Sequence, residues 1–275
     1  MKRYYFFALA TMSLFMVTNL SLAWEYGWTH HDDGLSTGRF DLGDTHNSKD
    51  STLFVIRFDP ENWELKALSI TEQKLEKNLS VREWARQYGM VATINAGMYD
   101  VDRKTHIGYF QTSDHKNNGR LHSKYKSVIA FNPVGKSPAA QMFDLDVISL
   151  EKIEKSYSSI IQNERLIKKP GENRWSRGGK TWWSEAALGE DKDGRILFLY
   201  TQASFKMYDL NNRLLELPLD LVSAQHLEGG LPAQIYFNYE DVEIEFHSGH
   251  EVDFSREKNP VTGLGIPNVI GIKKK

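Results

Sequence analysis

The sequence predicts an α+β fold, a single domain built on a mixed, mostly antiparallel β-sheet core with a few packed helices. Two observations carry that expectation: short β-rich runs outnumber helical ones, and they do not alternate with helices as a doubly wound fold requires. A third fixes the scale. The 275 residues are 40% apolar and include 14 Phe, 12 Tyr and 7 Trp, enough to close one hydrophobic core, and no linker divides them.

The elements follow in chain order. Lys2 and Arg3 precede an apolar run from Tyr4 to Val17, and Ser21-Leu22-Ala23 places small residues at a cleavage site, so residues 1–23 are predicted to be a secretory signal peptide. As a helix those fourteen apolar residues would span about 21 Å, short of the roughly 30 Å hydrocarbon core, so no stable membrane insertion is expected after cleavage. The domain is then 24–275, in the periplasm of a bacterium or secreted. Residues 24–50 are polar and rich in Gly, Asp and His, which predicts an irregular entry. Ser51–Asp59 is a strand stopped by Pro60, with Leu65–Ile70 as its expected hairpin partner. Ser80 and Glu83 form a capping box ahead of a helix carrying Val81, Trp84, Ala85 and Tyr88 on one face and ending at Gly89. Strands are predicted at Met90–Asn95 and Lys124–Phe131, and a helix over Leu150–Ile161. Ala186–Leu188 and Arg195–Tyr200 flank an Asp193-Gly194 hairpin turn. Leu210–Leu217 is a helix closed by Pro218, and strands follow at Gln234–Phe237, Val242–Phe246 and Val269–Ile272.

Composition removes several function classes. Thirty-four Lys and Arg against 36 Asp and Glu leave a net charge of −2, without the basic field that nucleic-acid binding needs. The absence of cysteine removes thiol nucleophiles and Cys-ligated metals. Residues 174–181 (RWSRGGKT) resemble the end of a phosphate-binding loop, but Arg174 stands where the first glycine must be. They remain a cationic stretch able to meet an anion. His30-His31-Asp32-Asp33 alternates across an extended segment and cannot close on one ion, and the His247 to His250 pair lacks further ligands. No H-E-x-x-H or G-x-S-x-G occurs. Neither a metal nor another cofactor is expected.

Three segments share one design, an apolar strand running into a small-residue turn with polar groups: ATINAGMYD at 92–100, WSEAALG at 183–189 and AQHLEGG at 224–230. Glycines beside a carboxylate or amide at a strand end let a ligand approach the backbone. Together with the GYF at 108–110, the QNERLI at 162–167 and the closing IPNVIGI at 266–272, these segments resemble the phosphodiester glycosidase family. NAGMY at 95–99 stands for that family's N-G-G-F-F-like segment, SEAALG with Asp193-Gly194 for its R-[ST]-A-x-G element and hairpin, and HLEGGLP at 226–232 for its N-L-D-G-G-G-S signature. The chain departs from the pattern in having Glu228 for Asp, His226 for Asn, Leu231 for Gly, Pro232 for Ser, and Ser184 or Glu185 for Arg.

The resemblance implies hydrolysis of a sugar phosphodiester at the anomeric C–O bond, through an oxocarbenium-like transition state. The departing phosphate monoester is already a stable anion, so the site needs a carboxylate to activate water or attack the anomeric carbon, and donors for the phosphate. Glu228 is the expected carboxylate, with Glu185 or Asp100 as a second and Asn95 as a substrate hydrogen-bonding group. Tyr99 is placed to stack on a sugar. The backbone N–H groups of Gly97, Gly229 and Gly230 are expected to take the phosphate, assisted by Arg177 or Lys180. The substituted positions also fit a module that binds an anionic glycan without cutting it, or a scaffold for a protein partner.

Overall fold

A computed structural model describes residues 26–44, 51–247, 250–253 and 263–275. The predicted signal peptide, and Ser248 and Gly249 between the two C-terminal histidines, lie outside the described residues. The chain begins with β1 (Gly27–Asp32) and β2 (Leu35–Asp41), then β3 (Thr52–Phe58), β4 (Trp63–Ser69), α1 (Ile70–Gln73), α2 (Val81–Tyr88) and β5 (Ala92–Asn95). The middle third holds β6 (Phe110–Gln111), β7 (Lys116–Asn118), β8 (Ser127–Pro133), β9 (Ala140–Asp144), α3 (Leu150–Glu154), β10 (Tyr157–Asn163), β11 (Arg165–Lys168) and β12 (Glu172–Asn173). The remainder is β13 (Trp183–Asp191), β14 (Ile196–Phe205), α4 (Met207–Glu216), β15 (Leu221–Gly229), β16 (Gln234–Tyr239), β17 (Val242–His247), β18 (His250–Asp253) and β19 (Asn268–Lys274).

These strands make three antiparallel sheets, in the orders β1-β2-β3-β14-β13-β15-β11-β12, β7-β6-β10-β8-β9 and β18-β17-β16-β5-β19-β4. The α+β expectation holds. One core serves all three sheets, with Phe54 and Ile56 of β3, Ile94 of β5, Ile129 of β8, Leu188 of β13, Phe237 of β16 and Ile270 of β19 packed together. The opposite face of each sheet carries a helix. Leu210 and Leu214 of α4 cover Val55, Leu197 and Leu199, while Trp84 of α2 packs with Tyr236 and Val269, and Leu150 and Ile153 of α3 lie with Val128 and Tyr157. Strands buried on both faces read as continuous apolar runs, which is why β3 and β14 are so plain in the sequence.

Local signals are realised where they are strongest. The Ser80 hydroxyl accepts the Glu83 N–H and the Glu83 carboxylate accepts the Ser80 N–H, so the capping box forms, and Gly89 ends α2 at φ 63°. Asp193-Gly194 turns β13 into β14 as expected.

Three expectations fail. Residues 24–50 are not irregular where described: β1 and β2 form a hairpin, and β2 pairs β3 along its whole length. The signal was hidden because Ser36, Thr37 and Arg39 are polar residues buried within a strand. The Leu65–Ile70 run is a strand but not the hairpin partner of β3. The Asp59 carbonyl accepts the Trp63 N–H at 3.0 Å in a tight corner, and β4 crosses to another sheet to pair β19. The helix over Leu150–Ile161 stops at Glu154 and gives way to β10. Ile160 and Ile161 enter opposite cores of a sheet, and that adjacency imitated a helical stripe.

Candidate functional site

The three strand-to-turn segments meet where β15 lies between β13 and β11. Glu228 faces Ala186 and His226 faces Ala187, so Leu227 is an extra residue, a β-bulge, whose side chain drops into the central core. The bulge re-aims its neighbours. His226 Nδ1 meets Glu185 Oε1 at 2.6 Å, both side chains buried, while Glu185 Oε2 is buried without a hydrogen-bond partner. Burial works against charge on His226, yet the carboxylates of Glu185, Glu228 and Glu164 outweigh it and hold the imidazole above its ordinary value. Glu185 itself is pushed up by burial, with His226 opposing.

Glu228 is less enclosed. Its Oε1 accepts the N–H of Gly229 at 3.2 Å, and burial raises its carboxyl against the pull of that amide and of His226, with Glu185 adding to the rise. Its charge reaches two phenols. Tyr99 is shifted up by burial and then by Glu228, and Tyr125 is pushed up to about 12 by burial, Glu164 and Glu228. Glu164 ends the β10–β11 junction, and its carbonyl accepts the His226 N–H at 2.8 Å. The site is thus a cluster of Glu164, Glu185, His226 and Glu228 beside Tyr99 and Tyr125. Among the described residues no group of three or more His, Asp or Glu stands in metal-binding arrangement.

Other predicted residues support this cluster from behind. Asn95 is buried; its Nδ2 donates to the Pro232 carbonyl at 3.0 Å and its Oδ1 accepts the Gln234 N–H at 2.7 Å. Both ends of the amide hold the loop after β15. Gly97 has φ 147°, and any Cβ there would collide with His106 Nε2 and Asn163 Oδ1. His106 Nδ1 accepts the Gly108 N–H at 3.0 Å, which leaves the proton on Nε2 over Gly97, and burial keeps the ring below its ordinary value.

The structure separates the remaining candidates from the carboxylates. Asp100 is exposed and accepts the Val101 N–H within the 100–105 turn. Arg177 donates from Nε to the Tyr208 hydroxyl on α4, and Lys180 is exposed on the same loop; neither is among the charges that weigh on Glu185, His226 or Glu228. Two of the three glycine amides expected to receive phosphate already have acceptors, Glu228 Oε1 for Gly229 and Ser184 Oγ, at 3.1 Å, for Gly230. His226, Glu164 and Tyr125 were not anticipated. The alternation in H-x-E marks His226 only if the strand is regular, and Glu164 and Tyr125 carry no local signal.

The chain matches the family described as phosphodiester glycosidase over residues 88–273. Its fold is similar to the zebrafish N-acetylglucosamine-1-phosphodiester alpha-N-acetylglucosaminidase catalytic domain auto-inhibited by its pro-peptide, with TM-score 0.57, 12% identity, and 88% of this chain and 84% of that one covered. It is equally similar to a hypothetical protein from Synechocystis, with TM-score 0.58, 12% identity, and coverage of 88% of this chain and 62% of that one. No curated protein matches the sequence.

Proposed function

The chain belongs to the phosphodiester glycosidase family, and from that premise we propose that it hydrolyses the glycosidic bond of a sugar phosphodiester at the Glu185–His226–Glu228 cluster. The observation that carries this reading is a buried 2.6 Å Glu–His pair beside a second, more open carboxylate at a glycine turn.

Glu228 acts as the general base. Water adds to the anomeric carbon as its proton passes to Glu228, and the anomeric C–O bond breaks with its electron pair leaving on the phosphate oxygen. A carboxyl raised by burial is a stronger base once ionised than an exposed one. His226, kept protonated by Glu185, faces the developing negative charge. Tyr99 lies within reach of the same carboxylate to contact the sugar. Asn95 acts at one remove, by fixing the loop that carries Gly229 and Gly230.

Residues 1–23 direct export in this proposal, and the substrate is a glycosyl phosphodiester of a bacterial envelope or exopolysaccharide. No described helix is long and apolar enough to cross a membrane.

The test is release of free sugar from a panel of sugar phosphodiesters by the chain and by Glu228→Gln. Turnover that falls about 100-fold or more in the variant supports the assignment. Turnover equal in the two proteins removes Glu228 from the chemistry, and binding without release by either makes the domain a glycan-recognition module.

A further inference from the structure

A phosphodiester substrate needs cations or donors for its phosphate, and the cluster is short of them: the Gly229 and Gly230 amides are taken, and three carboxylates surround the one imidazole. Cations gather instead beside Glu164. A cavity of about 240 Å³ is lined by Lys124, Lys126, Glu164, Arg165, Arg174 and Trp175. We propose that this cavity is the subsite for the substrate's phosphate, with Lys124, Lys126 and Arg174 as its ligands and the sugar lying toward Glu228. The proposal rests on the hydrolytic reading above and deepens it.

Four cationic side chains face one carboxylate across the cavity. Arg165 is the least available, since its Nη1 bonds Asp144 at 2.6 Å and Asp146 at 2.8 Å. Lys126 is only loosely paired, 3.8 Å from Asp146, and Arg174 has one nitrogen on exposed Glu172 at 2.7 Å. Lys124 is exposed, with no carboxylate at ion-pairing distance among the described residues. Lysine ammonium and arginine guanidinium groups are the usual partners of phosphate oxygens.

The segment that carries the lysines is built, not loose. Buried Gln162 accepts the Tyr109 and His122 N–H groups at 3.0 and 2.9 Å and donates to the His122 and Tyr125 carbonyls at 2.8 and 2.7 Å. All four hydrogen-bonding positions of the amide are filled, which pins residues 122–125 against the end of β10. Ser123 and Lys124 form a turn closed by the Tyr125 N–H on the His122 carbonyl at 3.2 Å. Tyr125 is buried after that turn and feels Glu164 and Glu228, while Lys124 and Lys126 on either side of it line the cavity. Glu164 joins the two halves: it lines the cavity, its charge acts on Glu185 and His226, and its carbonyl holds the His226 amide.

Methyl phosphate is the probe, because it carries the charge without a sugar. Its binding to the full chain is followed by titration calorimetry and by the indole resonance of Trp175. Saturable binding is expected in the unmodified chain and in Glu228→Gln alike, which separates this test from the catalytic one. Lys124→Ala with Lys126→Ala should weaken the Kd by about tenfold or more, and Lys124→Arg with Lys126→Arg should restore it to within about threefold. On a cleaved phosphodiester the alanine pair should raise KM more than it lowers kcat. The proposal is overturned if methyl phosphate does not saturate, if the alanine pair binds it as the unmodified chain does, or if the Trp175 resonance stays still while those of Tyr99 and Gly229 move. Failure to release sugar from any diester, with methyl phosphate binding intact and lost in the alanine pair, would count against the chemistry assigned to Glu228 and leave the subsite standing.

Discussion

His226 is drawn toward its charged form by a residue on the next strand. A buried imidazole left alone loses its proton more easily, and here the Glu185 carboxylate at 2.6 Å reverses that tendency. The consequence for pH has a definite sign. His226 is charged below its raised value and neutral above it, so activity that uses the imidazolium declines on the alkaline side. On the acid side Glu228, as the proposed base, must lose its proton, and burial moves that limb above the ordinary carboxylate range. Glu185→Gln keeps the size and an acceptor for the imidazole N–H but removes the charge. The alkaline limb of kcat/KM should then move to lower pH, with a loss of about 100-fold at pH 8. The acid limb should remain or fall slightly, since Glu185 also raises Glu228. A variant whose two limbs match those of the unmodified chain would show that Glu185 does not set the charge of His226.

At the scale of the element, two irregularities make the site. The bulge at Leu227 lets an apolar residue enter the core while its neighbours His226 and Glu228 remain with Glu185. The turn after β5 needs Gly97 because His106 and Asn163 occupy the place of its Cβ, and Asn163 Nδ2 also donates to the Ala96 carbonyl at 3.0 Å. Gly97→Ala should destabilise the fold by about 2–3 kcal/mol, combining a disfavoured φ with displacement of two buried polar groups. Chemical denaturation checks the value, and a midpoint unchanged from the parent would mean that the pocket over Gly97 yields without cost.

At the scale of the molecule, one core joins three sheets, and residues far apart in sequence are held rigidly across it. Asn95 on β5 reaches across to the loop between β15 and β16, so the 6-stranded sheet supports a turn that springs from the 8-stranded one. Glu164 leaves the 5-stranded sheet and enters the 8-stranded one beside His226. Such sharing explains how a chain without cysteine assembles a precise site from core packing alone. The export proposal belongs to this scale as well. Expressed in a bacterial host, the protein should be recovered outside the cytoplasm with Trp24 as its first residue by mass spectrometry; an intact chain retained in the cytoplasm would end that proposal.

Much of this molecule was legible one segment at a time. The α+β class, the capped helix at Ser80, the Asp193-Gly194 hairpin and the apolar strands follow from period, caps and turn chemistry, which act between near neighbours and so leave a local imprint. Glu228 and Glu185 stood out for the same reason, as carboxylates beside small-residue turns. The tertiary structure alone decided which sheet received β4, that polar β2 is buried, and that the isoleucines at 160 and 161 belong to a strand, because those outcomes depend on partners more than a hundred residues away or on the opposite face of a sheet. It also decided the surroundings of each candidate site group. Asn95 became a brace, Gly229 and Gly230 had their amides taken, and Glu185 draws His226 toward its charged form, since hydrogen bonding and charge are settled by what lies within a few ångströms in space.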